Sequence, residues 1–181
     1  MNTYRTHISG RVFTIMVALA ALTASGAVAN DATQPAGAAT AKVAVTKARF
    51  GRGMGPDDSF TVNMAFRGAV KRIQKEESCS ALFDTLMLDG LQALGRSRYN
   101  RPQSQWEERQ CASGIAAYTV VGSNRVVVCR HFQRLDRRVQ SAVLIHEALH
   151  TAGLSEAPLD PEAMTAVEIQ SMVEEACGLG R

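Results

Sequence analysis

Residues 141–158, SAVLIHEALHTAGLSEAP, set two histidines and two glutamates into one of the most apolar runs of the chain. Leucine, valine, isoleucine and alanine recur here and upstream at helical spacing, which predicts a buried helix over residues 134–152. Gly153 stands where a C-terminal glycine would end that helix. Four side chains that are costly to bury therefore lie on or just after a helix suited to the core.

The spacing of His146, Glu147 and His150 predicts a metal site. Residues four apart on a helix project from one face, about 40° apart and one turn along the axis. Two imidazoles so placed can bind one zinc ion, and Glu147 beside them can act as general base toward a water that the ion activates. The alternative is that backbone carbonyls or carboxylates satisfy both histidines and that Glu147 is exposed on the surface.

A third ligand is expected, because catalytic zinc usually takes three protein ligands and leaves a fourth position open. Gly153 permits a sharp change of direction after the helix. The chain can then bring Glu156 back toward the two imidazoles, which makes it the first candidate.

The motif resembles the zinc signature of a known superfamily. HEALHTAGLSE, residues 146–156, has the outline HExxHxxGxxE and is similar to the metzincin signature, with Glu156 where its third histidine usually stands. RVVVCRHF followed by AVLIHEALH is similar to the strand, cysteine and aromatic before the active-site helix of deuterolysin-like zinc endopeptidases. The resemblance implies a zincin-like domain that hydrolyses peptide bonds with bound Zn2+.

The same resemblance implies other candidates for the third ligand. Gluzincins take a glutamate from a following helix, where Glu168 and Glu174 would stand. Deuterolysin-like enzymes take an aspartate beyond the motif, and Asp160 is the nearest one here.

A β-hairpin is expected beside the motif helix. Residues 115–121 and 126–132 are β-branched and aromatic, and they are separated by a Gly-Ser-Asn-Arg turn. The resemblance implies that extended substrate adds to an edge of this hairpin. Tyr118 and His131 lie near that edge as possible oxyanion stabilisers, although a packed tyrosine and a surface histidine are the preferred interpretation.

Three further helices are expected, which makes the fold class a small, mostly helical α+β domain. The first has Asp57 as its N-cap candidate and a loose apolar stripe that Gly68 weakens. The second covers residues 79–94 as one amphipathic helix with Met87 in its core stripe. The last has Pro161 in its first turn and runs to about Cys177.

The N-terminus predicts export. Basic residues precede an apolar run over residues 12–24, and small residues end at Ala29, so residues 1–29 form a signal peptide. Residues 30–56 have no apolar period and are predicted to be a flexible leader, followed by one domain over residues 57–181. We expect a secreted or periplasmic protein with no stable membrane span after signal removal.

Four cysteines follow the predicted signal peptide, and an oxidising compartment favours disulfides. Three pairings are possible. Because Cys111 and Cys129 flank the hairpin, we favour that pair, which leaves Cys79 with Cys177. The formal net charge of +3 includes Arg5 and Arg11, so the chain without its predicted signal peptide is near neutral, which argues against nucleic acid as a partner.

The sequence supports one leading hypothesis and two alternatives. The leading hypothesis is an exported, monomeric zinc peptidase that acts on protein or peptide substrates. The first alternative is a non-enzymatic envelope domain that binds a partner on a zincin-like scaffold. The second is a metal-free domain held together only by disulfides.

Overall fold

The computed structural model describes Val45 and residues 47–180. Helices dominate this part of the chain and accompany a small four-stranded sheet, so the domain is the mostly helical α+β type expected from the sequence. The strands are β1 (Arg49–Phe50), β2 (Arg98–Asn100), β3 (Ala117–Thr119) and β4 (Arg125–Val128). The helices are α1 (Pro56–Lys75), α2 (Glu77–Thr85), α3 (Gly90–Arg96), α4 (Gln105–Ala112), α5 (Arg137–Ala152) and α6 (Ala166–Ala176), with a 3-10 helix at Arg130–Arg134.

The sheet has the order β1-β2-β4-β3, so β3 is an edge strand. β1, β2 and β4 run parallel, while β3 pairs antiparallel with β4 as the predicted hairpin, in strands shorter than expected. Gly122 in the hairpin turn donates its N–H to the carbonyl of His150 over 2.8 Å. This bond holds the hairpin beside the end of α5.

α1 and α5 pack closely at the centre of the domain. A Cβ on Gly68 would lie 2.3 Å from Oγ of Ser141, so glycine at this position permits the close approach of the two helices. Ser141 donates its hydroxyl to the carbonyl of Ala65 on α1 over 3.1 Å. α1 begins at Pro56 with Gly55 as N-cap, not Asp57, because proline suits the first helical turn.

The single helix predicted over residues 79–94 is wrong. The chain breaks into α2 and α3 at Met87, which has a φ of 55°. Asp89 then caps α3 by accepting the N–H of Gln92 over 2.8 Å. Met87, expected in the core, is 92% exposed at this corner. The apolar period continues across the break because α2 and α3 both turn apolar faces to the same core.

The ends of α5 and α6 also differ from the sequence prediction. α5 begins at Arg137 because Asp136 accepts the N–H groups of Arg138 and Val139. α6 begins at Ala166, where Thr165 and Glu168 form a capping box. Pro161 therefore lies before α6 and not in its first turn.

Both favoured disulfides are present. Cys79–Cys177 ties α2 to the end of α6, and Cys111–Cys129 ties α4 to the end of β4. The predicted signal peptide lies outside the described residues, as does most of the predicted leader. The later part of that leader contributes β1 to the sheet, so ordered structure begins earlier than residue 57. Over the described residues, no helix has the length and apolar character needed to cross a membrane.

Candidate metal centre

α5 carries the three motif residues into the interior of the domain. His146, Glu147 and His150 are only 8%, 4% and 5% exposed. The helix packs against α1, α3 and α6 and against β3, so these side chains are enclosed by protein on most sides. Glu147 is therefore not the exposed surface residue that the alternative interpretation of the motif required.

The turn after α5 brings the chain back toward the two histidines. Gly153 has a φ of 116°, a conformation that favours glycine, and its N–H donates to the carbonyl of His150 over 3.0 Å. Leu154 then donates its N–H to the carbonyl of Leu149 over 3.0 Å. This reversal places the carbonyl of Leu154 2.8 Å from Nδ1 of His150.

Three potential ligand atoms converge next to this turn. Nε2 of His146 lies 3.0 Å from Nε2 of His150. Oε2 of Glu156 lies 2.9 Å from Nε2 of His150 and 3.4 Å from Nε2 of His146. The group formed by these three residues, called here the metal group, could hold a metal ion.

The tautomer of His150 explains why a cation would suit this convergence. Its Nδ1 faces a carbonyl oxygen, which can only accept, so this contact favours the tautomer with the proton on Nδ1 and the lone pair on Nε2. That lone pair faces the carboxylate of Glu156 and the second imidazole. Acceptors placed this close repel each other unless a proton or a metal ion lies between them.

His146 is in the neutral form that binds metals. Burial, and then the neighbouring His150, lower the pKa of His146 to about 4, while Gln170 on α6 acts in the opposite direction. The imidazole is therefore uncharged at neutral pH. Its Nδ1 is buried and has no hydrogen-bond partner among the described residues.

The metal group fits zinc. A tetrahedral zinc ion with bonds of about 2.0–2.1 Å sets its ligand atoms about 3.3–3.4 Å apart. The three observed separations, 2.9, 3.0 and 3.4 Å, are within a few tenths of an ångström of that value. Two imidazole nitrogens and one carboxylate oxygen are also a ligand set used by catalytic zinc.

Glu147 lies beside the metal group with a strongly perturbed carboxyl. Burial raises the pKa of Glu147 to about 8, with a smaller contribution from Glu156, and the hydroxyl of Thr119 opposes the shift. Thr119 reaches it from the edge strand β3, yet neither Oε2 of Glu147 nor Oγ1 of Thr119 has a hydrogen bond of normal geometry among the described residues. This carboxyl is thus poised to exchange a proton near neutral pH.

The other candidate ligands lie outside the metal group. Oδ1 of Asp160 accepts the N–H of Glu162, and Glu168 caps α6. Glu174 accepts a hydrogen bond from Gln170 over 2.8 Å. Of the four carboxylates considered for the third position, only Glu156 meets the two imidazoles.

An open cleft of about 400 Å3 leads to His146 and Glu147. Its other lining residues are mostly apolar and come from the hairpin, α5 and α6, among them Ala117, Val143 and Val167. The exposed His131 also lines it. Tyr118 does not line the cleft, because side chains alternate between the two faces of a strand. Its ring instead packs edge-on against Trp106, with the ring centroids 5.9 Å apart.

The sequence did not identify Thr119 or Gln170 as site residues. Both come from other elements, β3 and α6, and only the folded chain brings them to Glu147 and His146. The alternation of β3 could have indicated Thr119, which shares a strand face with Ala117.

The described side chains thus combine a group that could hold a metal ion, an adjacent buried carboxyl and an open cleft. No family model, curated protein or solved structure matches the chain. The arrangement can position a cation against a polar group of a bound molecule and move a proton at the carboxyl of Glu147.

Proposed function

We propose that this chain is an exported zinc peptidase of the zincin-like kind, with His146, His150 and Glu156 as zinc ligands and Glu147 as general base. The observation that carries the proposal is the convergence of Nε2, Nε2 and Oε2 within 3.4 Å of one another, next to a buried carboxyl. The two disulfides support an oxidising compartment.

Bound zinc would polarise a peptide carbonyl and lower the pKa of a water toward 7. Glu147 would accept the proton of the attacking water and pass it to the leaving amine. Its raised pKa suits both tasks, since a group that titrates near neutral pH can accept a proton and release it again. The Thr119 hydroxyl favours the charged carboxylate and so helps Glu147 to begin the cycle as a base.

The position of the cleft supports a peptide substrate. β3 borders the cleft through Ala117, and among the described strands it is paired on one side only, with β4. An extended peptide could pair with the other side of β3, because an edge strand offers unpaired N–H and carbonyl groups. Its side chains would then meet the apolar residues Val143 and Val167.

The decisive experiment compares wild type with Glu147→Gln. Both should retain about one zinc per chain by elemental analysis, because Glu147 is not in the metal group. Cleavage of an unfolded protein should fall by about 10²–10⁴-fold in Glu147→Gln, the usual contribution of a general base. Unchanged cleavage would refute the proposed role of Glu147.

A pair of carboxylate variants tests the third ligand. Glu156→Ala should lose zinc, whereas Glu174→Gln, on a cleft residue outside the metal group, should retain it. Zinc retained by wild type without cleavage of broad peptide pools would instead indicate a partner-binding domain. Wild type purified free of metal would overturn the proposal.

A further inference from the structure

A second cavity, of about 610 Å3, lies at the sheet and shares no lining residue with the cleft. None of its lining residues is acidic, and six of them have side-chain N–H groups, of which those of Asn100 and Gln103 already donate to backbone carbonyls. These six are the arginines Arg52, Arg98 and Arg125 and the amides Asn100, Gln103 and Asn124. We propose that this cavity, called here the arginine cavity, binds the phosphate group of a phosphate-bearing ligand.

The pairing of the strands aligns three arginines across the sheet. Arg49 of β1 is in register with Arg98 of β2, and Arg98 is in register with Arg125 of β4. Residues in register on paired strands share a face of the sheet and are about 5 Å apart, so like charges there repel each other. A bound anion would relieve this repulsion.

Within the described part of the chain, one member of this row has an acidic partner. Arg125 forms an ion pair with Glu107. Among the described residues, no carboxylate oxygen lies within 4.0 Å of the guanidinium of Arg49, Arg98 or Arg52. All three residues are exposed, so their cationic groups are accessible to a ligand in solution.

The backbone around Arg52 is fixed in place. Asn100 is 5% exposed and accepts the N–H of Arg52 over 3.1 Å while donating to the carbonyl of Arg98 over 2.7 Å. Arg101 donates its N–H to the carbonyl of Arg52 over 3.1 Å. Gly51 permits this contact, since a Cβ there would lie 1.9 Å from Oδ1 of Asn100. The cavity wall is thus preorganised, which lowers the entropic cost of binding.

The charges favour phosphate over a single carboxylate. The cavity combines three guanidinium groups with the one carboxylate of Glu107, which leaves two positive charges uncompensated. A phosphate monoester carries about −1.5 to −2 charges at pH 7 and offers three acceptor oxygens. Arginine also matches phosphate geometry with paired donors.

The test uses inorganic phosphate as the probe. Its binding is measured by calorimetry and by the fluorescence of Trp106, the only tryptophan of the chain. Trp106 adjoins Glu107, the partner of Arg125, so it lies close enough to report changes there. Phosphate should bind wild type, and acetate at the same ionic strength should not displace it. Binding should weaken by about tenfold in Arg98→Gln and in Arg52→Gln, because each removes a charged hydrogen-bond donor.

Arg138→Gln is the matched control, because Arg138 is also exposed but lies on α5 away from the cavity. It should bind phosphate as wild type does. Equal losses in Arg138→Gln and Arg98→Gln would overturn the proposal by showing a general charge effect. Thermal unfolding measures whether each variant is folded. If Arg98→Gln does not fold, Arg52→Gln tests the proposal in its place.

Vesicles distinguish two sources of the phosphate. Binding to phosphatidylcholine vesicles that contain phosphatidic acid, displaced by inorganic phosphate, would identify a lipid headgroup. Phosphate binding without vesicle binding would identify a soluble phosphate compound. Absence of phosphate binding, or displacement of phosphate by acetate, would overturn the proposal, and none of these results depends on peptidase activity.

Discussion

Two buried glutamates on opposite sides of the hairpin have opposite environments. Glu107 on α4 accepts hydrogen bonds from Arg125 and from the N–H of Gln103. The Arg125 guanidinium holds the pKa of Glu107 below its ordinary value. Glu147 on α5 has no such partner in the part of the chain that the structure describes, and burial raises its pKa to about 8. The same residue type is thus kept charged in one place and driven toward neutrality in the other.

This contrast separates a structural carboxylate from the proposed general base. A buried carboxylate paired with arginine repays part of its desolvation and fixes two elements together. A buried carboxyl without a charged partner lowers stability, and that loss is expected where function requires it. Glu147 stands next to three converging ligand atoms, whereas Glu107 joins α4 to β4.

The largest expected effect is a gain of stability when Glu147 is made neutral. A carboxyl with a raised pKa stabilises the fold below its unfolded pKa of about 4.5, and this contribution is lost as the pH rises through about 8. In the metal-free protein at pH 7, Glu147→Gln should therefore raise the free energy of unfolding by on the order of 3 kcal/mol. Urea unfolding with a chelator, measured from pH 4 to pH 9, would show the difference growing with pH.

Glu162→Gln, on an exposed residue, is the control for that series. It should follow wild type at every pH. A Glu147→Gln variant less stable than wild type at pH 7 would show that the carboxylate has a partner in solution.

The next effect is stabilisation by zinc. A ligand that binds only the folded state at 100 times its Kd adds about 2.7 kcal/mol. Wild type should gain this amount in thermal or urea unfolding. His150→Ala should gain little, because it removes the central member of the metal group. A similar zinc response in both proteins would show that zinc binds elsewhere.

A smaller effect of opposite sign is expected at Glu107. Glu107→Gln removes the charged partner of Arg125 and should lower the free energy of unfolding by about 2 kcal/mol at pH 7. Because the pKa of Glu107 is lowered in the fold, its contribution is present above the unfolded pKa of about 4.5 and is lost as the pH falls through the folded value. The difference between variant and wild type should therefore shrink in acid.

Glu108→Gln provides the matched control on the same helix, since Glu108 is exposed. It should change stability by less than about 0.5 kcal/mol. Equal stabilities of Glu107→Gln and wild type at pH 7 would show that the pair with Arg125 contributes nothing measurable.

The sequence predicted what depends on local spacing. The placement of His146 and His150 follows from helical geometry, and Gly153 lies close enough to bring Glu156 back within a few residues. The disulfide pairing was also predicted, because Cys111 and Cys129 flank the hairpin. Once they are paired, Cys79 and Cys177 are the two cysteines that remain.

The sequence did not predict the features that depend on contacts between elements distant along the chain. β1 and β2 have two and three residues, too few for a period to show, and α4 was not predicted. The corner at Met87 lies inside an apolar period that continues through it. The arginine cavity depends on the register of three strands, which no short stretch of sequence specifies.

The smallest effect concerns Tyr118, on the Glu107 side of the hairpin. Its hydroxyl is buried without a hydrogen-bond partner among the described residues, and burial raises its pKa to about 12. Tyr118→Phe removes this polar atom while keeping the ring that packs on Trp106, so the free energy of unfolding should rise by about 1 kcal/mol. Urea unfolding at pH 7 measures it. A loss of stability would mean that the hydroxyl is hydrogen-bonded in solution. A gain of stability would show that an unsatisfied buried polar atom does not by itself mark a functional site. Tyr118 is such a case, because it neither lines the cleft nor belongs to the metal group.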